Sequence, residues 1–293
     1  MDVYRTPDER FEDLPDFPWK PRYRDVDGVR MAHVEDGDGP PVVMFHGEPT
    51  WSFLWRKVLP PVRDAGYRVI VPDLVGFGRS DKPADLGWYS YDRHVEYAAT
   101  LFEDLDLHDA TIVVHDWGGP VGLRIAIEQP ERVSRLVITD TGLFTGHQRM
   151  SDAWKMFRDF VERTEDLPIS LLVRRACKND PGDEIAAAYD APFPEPGAKH
   201  GARAFPLMLP TEPTAPGAEA GQRVLEALKQ DERPKLFVWA DSDPILSLKT
   251  GERFAGVCNT EIDHVIRDAG HFLQEDQGEL IGRRIADWLA EAS

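Results

Sequence analysis

The sequence predicts an open α/β fold with a mostly parallel central sheet, and three observations predict it. Short, continuous apolar runs recur along the chain, as strands covered on both faces require. Helical patterns separate these runs, so the strands are joined by crossover helices rather than by hairpins. The length of 293 residues exceeds a minimal domain and falls short of two full ones, which fits one large domain with an insertion.

Taken in order, residues 1–25 are rich in proline and charge and are expected to wrap the surface. Strands are expected over Val29–Val34, Val42–Phe45, Arg68–Val71, Thr111–His115, Leu136–Thr139, Leu236–Ala240 and Val265–Ile266. Helices are expected over Tyr91–Leu105, Pro120–Glu128, Leu246–Ala255 and Glu279–Ala292. The rhythm breaks between Gly142 and Gly221, where no strand-like run occurs. That stretch holds helical patterns at Ser151–Glu162 and Ile169–Cys177, then proline-rich loops at Ala191-Pro192-Phe193-Pro194 and Pro206–Pro216. An insertion placed after a strand reads as a helical lid over the carboxyl edge of the sheet, where open α/β sheets bind ligands. The expected division is therefore a core of 1–141 plus 222–293 and a helical cap of 142–221.

Composition narrows the function. Acidic residues number 52 and basic residues 34, for a formal charge of −18. A phosphate backbone or an anionic membrane surface needs a basic face, so nucleic acid and membrane are excluded as expected partners. The basic residues are 25 Arg and only 9 Lys. Excess acid with little lysine is the signature of a halophile, whose proteins stay soluble through acidic hydration, and equally of an ordinary acidic surface from a GC-rich genome. Two cysteines, Cys177 and Cys258, are too few for a disulfide framework. No apolar stretch approaches a membrane span, and the N-terminus lacks the apolar core of a signal peptide. A cytoplasmic location is expected.

The strongest chemical signal is Val113-Val114-His115-Asp116-Trp117-Gly118-Gly119. An apolar strand runs into a polar residue, two glycines follow within three positions, and a helix comes next. This is the nucleophile-elbow pattern, a tight strand-to-helix turn that projects one side chain, here Asp116. The helix N-terminus beyond the turn is expected to lower the carboxylate pKa. An ionised aspartate attacks an electrophilic carbon and forms an ester. The bland alternative is a helix cap.

Two further turns stand at strand ends. His46-Gly47-Glu48-Pro49-Thr50-Trp51 follows a buried strand, where a turn supplies a backbone N–H to an oxyanion hole beside that of the residue after the nucleophile. The donors are then Glu48 and Trp117. Asp268-Ala269-Gly270-His271-Phe272 follows the last strand, in the chain order that makes His271 the base. The acid that orients His271 is Asp243, after the strand Leu236–Ala240, or alternatively Asp140, at the end of Leu136–Thr139.

With these residues in view, the chain resembles the haloalkane dehalogenases of the α/β-hydrolase superfamily. The resemblance runs nearly end to end and rests on Arg5-Thr6-Pro7-Asp8, His46 to Ser52, Pro72 to Pro83, His115 to Gly119, Ala191 to Pro194, Ala204-Phe205-Pro206 and His271 to Asp276. It implies an α/β-hydrolase fold with an inserted helical cap. It implies that Asp116 displaces halide from a haloalkane and that water activated by His271 cleaves the ester to an alcohol, without cofactor or metal. The Glu at position 48 is similar to the subfamily whose halide is held by two aromatic donors, one on the lid. Trp117 is then the first donor and Trp154, the only Trp in the inserted segment, the second. Phe157, one turn further along the lid helix, is expected to line the substrate pocket with Phe205, Pro206 and Phe272. The expected partners are a small haloalkane, halide and water, and the expected assembly is a monomer or weak homo-oligomer.

Two other functions compete. An epoxide hydrolase shares the aspartate, the His-Gly-x-Pro turn and the histidine, but it needs two lid tyrosines to protonate the epoxide oxygen. Only Tyr189 lies between Gly142 and Gly221. A non-catalytic small-ligand receptor on the same fold is signalled by loss of a triad member, and none is lost.

Overall fold

The computed structural model of the chain describes residues 1–150 and 152–291. Its strands are β1 (Val3–Tyr4), β2 (Arg22–Val26), β3 (Val29–Asp36), β4 (Pro41–Phe45), β5 (Arg68–Pro72), β6 (Lys82–Pro83), β7 (Ala110–His115), β8 (Val133–Thr139), β9 (Lys235–Ala240) and β10 (His264–Ile266). Its α-helices are α1 (Leu59–Asp64), α2 (Tyr91–Asp104), α3 (Gly118–Glu128), α4 (Asp152–Arg163), α5 (Ile169–Ala176), α6 (Asp183–Asp190), α7 (His200–Met208), α8 (Ala218–Leu228), α9 (Leu248–Val257) and α10 (Leu273–Glu291).

Eight strands form one sheet in the order β10-β9-β8-β7-β4-β5-β3-β2. The pairs from β10 across to β5 are parallel, whereas β3 and β2 join antiparallel at one edge. All six residues of β7 are buried, and Ile112-Val113-Val114 at its centre are apolar on both faces, as a covered parallel strand demands. Helices flank the sheet in two packed groups, α1 with α10 and α2 with α3 and α8. The chain leaves β4 toward β5 on one side, and β7 pairs with β4 on the other. The strand order therefore reverses at β4, and the crevice at such a reversal is where doubly wound sheets bind ligands.

Four expectations change. Residues 1–25 do more than wrap the surface: β1 pairs with β6, and Arg22-Tyr23-Arg24-Asp25-Val26 forms the edge strand β2. An edge strand faces solvent, so its charged composition hides it among loops. The expected loop from Pro206 begins later, because α7 runs through a buried Pro206 to Met208. A short helical piece from Leu273 precedes the expected last helix, and a non-helical Gln277 (φ −139°, ψ 32°) separates the two parts of α10. Its expected last residue, Ala292, lies outside the described residues, as does Ser151 at the expected start of the first lid helix. Finally, α8 spans residue 221, so the expected cap boundary falls inside a helix that packs on α3.

Between Gly142 and α8 the described segment holds helices and no strand. Within it α5 packs on α6, and α4 packs on α7.

Candidate active site

The site is built where β4, β7 and β9 end. Asp116 follows β7 directly and adopts a left-handed backbone, φ +47°. That conformation is costly for a non-glycine residue and persists only where surrounding contacts enforce it. They do so here. Asp116 N–H donates to the Asp140 carbonyl at 3.1 Å, Gly119 N–H donates to the Asp116 carbonyl at 2.9 Å, and the Thr141 hydroxyl donates to the same oxygen. The β4 turn approaches so closely that a Cβ on Gly47 would lie 2.4 Å from Asp116 Cβ, which requires glycine there.

This approach places Glu48 N–H 2.9 Å from Asp116 Oδ1, and Trp117 N–H also donates to the Asp116 carboxylate. The expectation of a lowered pKa is corrected. Burial pushes the Asp116 carboxyl above its ordinary value, although His271 and the two N–H groups pull it down. Desolvation outweighs these contacts because packed protein covers most of the carboxyl, whose side chain is 16% exposed.

His271 is held at four points. Its Nδ1 lies 2.8 Å from Asp243 Oδ2, its main-chain N–H donates to Ala176 O at 2.8 Å, and its carbonyl accepts from His115 Nε2–H at 2.8 Å. Phe272 packs against its ring at 4.9 Å between centroids. Its Nε2 faces Asp116 Oδ2 at 3.7 Å. Burial lowers the pKa of His271, but Asp243, by charge and hydrogen bond, and then Asp116 raise it, and the result lies above the ordinary histidine value. Burial likewise raises Asp243, while His271 and the N–H groups of Leu246 and Ile245 bring it below the usual carboxylate range. Asp140, the alternative acid, turns both oxygens to Ala240 N–H at 3.2 Å. Burial and then the charge of Asp243 push its carboxyl well up, favouring the neutral acid. Asp243 is thus the carboxylate in contact with the imidazole.

The surrounding wall is apolar. Trp117 packs on Phe205 at 5.0 Å and on Phe144 at 5.6 Å, and neither ring competes for its indole N–H. Phe205 also meets Phe77 and His94 at 4.6 Å each, and Pro206 beside it is buried. Trp154 and Phe157 are half-buried on α4 and pack against the apolar core. The Glu48 side chain is buried, with Oε1 lacking a hydrogen-bond partner among the described residues. Burial and then the charge of Asp116 push its carboxyl well above the usual range. Tyr189 turns its hydroxyl to Glu275 rather than toward Asp116.

Sequence reasoning passed over His115, Ala176, Phe144 and Phe77. His115 was visible as the residue before the nucleophile, and Phe77 inside Pro72 to Pro83. Ala176 acts through its carbonyl, which leaves no side-chain signature. Among the described residues no cluster of three or more His, Cys, Asp or Glu could hold a metal, and no helix is long and apolar enough to cross a membrane. A surface depression of about 410 Å³ lies at the amino end of β9, lined by Lys229, Asp231, Arg233 and Lys235. Asp231 is already ion-paired there with Arg233 and Lys235, and none of the residues above lines it.

Comparison with known proteins converges on one family. A family model described as alpha/beta hydrolase fold matches residues 40–277. The chain is 43% identical to a haloalkane dehalogenase of Mycolicibacterium paratuberculosis, covering 98% of each chain. It is 35% identical to one of Psychrobacter cryohalolentis, covering 99% of this chain and 98% of the other. The structure of the tetrameric haloalkane dehalogenase DpaA from Paraglaciecola agarilytica superposes with a TM-score of 0.90 at 34% identity over 97% of both chains.

Proposed function

We propose how this site works from one premise: the chain belongs to the haloalkane dehalogenases, α/β hydrolases that cleave carbon–halogen bonds to alcohol and halide. The observation that carries the proposal is the placing of Asp116 between two backbone N–H donors and the Asp243-oriented imidazole of His271.

Asp116 Oδ1 rests on the Glu48 N–H, which leaves Oδ2 to attack the halogen-bearing carbon. The carbon–oxygen bond forms as the carbon–halogen bond breaks, and the halide departs with the electron pair. A halide gains a full charge as it leaves, so it needs donors in a dry pocket. An indole N–H is a donor with no competing acceptor, and we assign this role to Trp117 and Trp154. Phe157, Phe205, Pro206 and Phe272 line the pocket and exclude water.

Hydrolysis needs a base. His271 Nε2 takes a proton from water as the water oxygen attacks the ester carbonyl carbon. The charge on Oδ1 is met by the Glu48 and Trp117 N–H groups, an oxyanion hole of the usual kind. The intermediate collapses, the alkoxide leaves, and the imidazolium returns the proton to give the alcohol. The Asp116 carboxylic acid releases the second water proton to solvent to restore the carboxylate. Alkylation also tunes the base. Asp116 is one of the charges that raise the His271 pKa, and the ester carries no charge. The imidazole therefore becomes less basic, and more fully neutral, in the state where it must accept a proton.

The epoxide reading loses support, because the Tyr189 hydroxyl is committed to Glu275. Incubation with 1,2-dibromoethane and with styrene oxide tests the function: bromide is expected from the first, and diol without bromide overturns it. The proposed cap begins at residue 142, as expected, and ends where α8 begins at Ala218 rather than at residue 221. The proposed setting is cytoplasmic, in keeping with two free thiols, Cys177 and Cys258. Monomer or weak homo-oligomer is the proposed assembly, and sedimentation of the purified chain tests it.

A further inference from the structure

Asp276 lies outside the reacting groups, yet its carboxylate joins the base turn to the inserted segment. Oδ2 accepts from Gly270 N–H at 2.9 Å and from Lys178 N–H at 2.8 Å. Oδ1 accepts from Asn179 N–H at 2.8 Å and from Asn179 Nδ2 at 3.3 Å. Gly270 immediately precedes His271, and Lys178 and Asn179 follow α5. The same stretch of α5 supplies Ala176 O, which accepts from His271 N–H at 2.8 Å. The two backbones nearly touch, since a Cβ on Gly270 would lie 2.5 Å from Ala176 O and 2.7 Å from Lys178 N. A single carboxylate therefore sets the register of the base turn against residues 176–179.

We propose that Asp276 is a positioning residue for His271, acting on the hydrolytic half of the reaction. This rests on the two-step reading above. The side chain of His271 is oriented by Asp243, but its reach toward Asp116 is set by its main chain. Of the nearest main-chain anchors, Gly270 N–H bonds the Asp276 carboxylate directly, and Ala176 O stands two residues before Lys178, whose N–H bonds the same oxygen. Its neighbour Glu275 is anchored separately on Arg56, Lys57 and Tyr189, so the start of α10 stays in place when Asp276 is altered. Alkylation needs only Asp116 and the leaving halide, so a misplaced base slows the second step alone.

The test is single-turnover reaction with 1,2-dibromoethane, following bromide release and the alkyl-enzyme mass in wild type, Asp276→Asn, Asp276→Glu and Lys178→Pro. Asp276→Asn keeps the size but loses the charge and one acceptor. It is expected to alkylate within about threefold of wild type and to hydrolyse the ester on the order of 10- to 100-fold more slowly, so the adduct accumulates. Asp276→Glu restores the carboxylate and is expected to recover part of the hydrolysis. Lys178→Pro deletes one donor from the inserted segment, next to an extended Cys177 that accepts a following proline, and is expected to shift the balance in the same direction by less. It carries the test if Asp276→Asn does not fold. Parallel loss of both steps, or hydrolysis unchanged in the folded variants while wild type releases bromide through an adduct, overturns the positioning role alone. A wild type that releases no bromide overturns the two-step reading and this inference with it.

Discussion

Replacing Asp243 by Asn separates the two chemical steps. Asp243 Oδ2 and His271 Nδ1 are 2.8 Å apart, and their side chains are 0% and 2% exposed, so water does not screen the contact. A hydrogen bond to a charged group of this kind contributes ~1.5–3 kcal/mol, which corresponds to roughly 10- to 150-fold in rate if it is felt in the hydrolytic transition state. The loss can be larger, because an amide that turns its NH2 to Nδ1 selects the tautomer with the proton on Nε2, and that imidazole cannot act as base. Alkylation by Asp116 uses no base and is expected to stay within about threefold, or ~0.7 kcal/mol. The assay is rapid-quench reaction with 1,2-dibromoethane, reading bromide for the first step and loss of the alkyl-enzyme mass for the second. Asp140→Asn is the control, since Asp140 bonds Ala240 N–H and not the imidazole. Hydrolysis preserved in Asp243→Asn, or lost equally in Asp140→Asn, refutes the assignment of Asp243 as the orienting acid.

Other outcomes follow from the same geometry. Trp154→Phe is expected to lose roughly 10- to 150-fold in bromide-releasing turnover, the worth of a charge-assisted donor, while Phe157→Leu loses much less; equal losses mean packing, not donation. Because the neutral imidazole is the base, hydrolysis falls as pH drops through the His271 pKa. That pKa lies above the ordinary value in the free enzyme with Asp116 charged, so the acid limb for the alkyl-enzyme is expected at lower pH than the free-enzyme titration of His271 read by NMR, and coincident values contradict the coupling. With 52 acidic against 34 basic residues, self-repulsion is screened by salt, and the melting temperature is expected to rise by more than ~3 °C between dilute buffer and molar KCl; a flat value returns the acidic surface to the ordinary reading.

Much of the fold was legible because strands covered on both faces must be apolar throughout. Val42–Phe45 and Thr111–His115 announce themselves in that way, and both are buried in the sheet. β2 was not legible, because Arg22, Arg24 and Asp25 on an edge strand read as a solvated segment. The short helical piece from Leu273 was hidden by the break at Gln277. At the site, Asp116, His271 and the Glu48 turn are local patterns at strand ends and were visible one by one. The choice between Asp243 and Asp140 was not, since each ends a strand and only the third dimension shows which carboxylate meets the imidazole. The direction of the Asp116 pKa was missed for a related reason: a sequence displays the helix that follows the elbow but not the burial that outweighs it. Ala176 contributes a carbonyl and Asp276 accepts main-chain N–H groups, contacts that no side-chain pattern encodes.

The most direct test of the mechanism is the intact mass of His271→Phe after exposure to 1,2-dibromoethane. With Asp116 as nucleophile and His271 needed only to activate water, the folded variant should release one equivalent of bromide and then stall. It should carry a single bromoethyl adduct that peptide mapping places on Asp116. An unmodified mass in a folded variant, or an adduct on any other residue, contradicts the account.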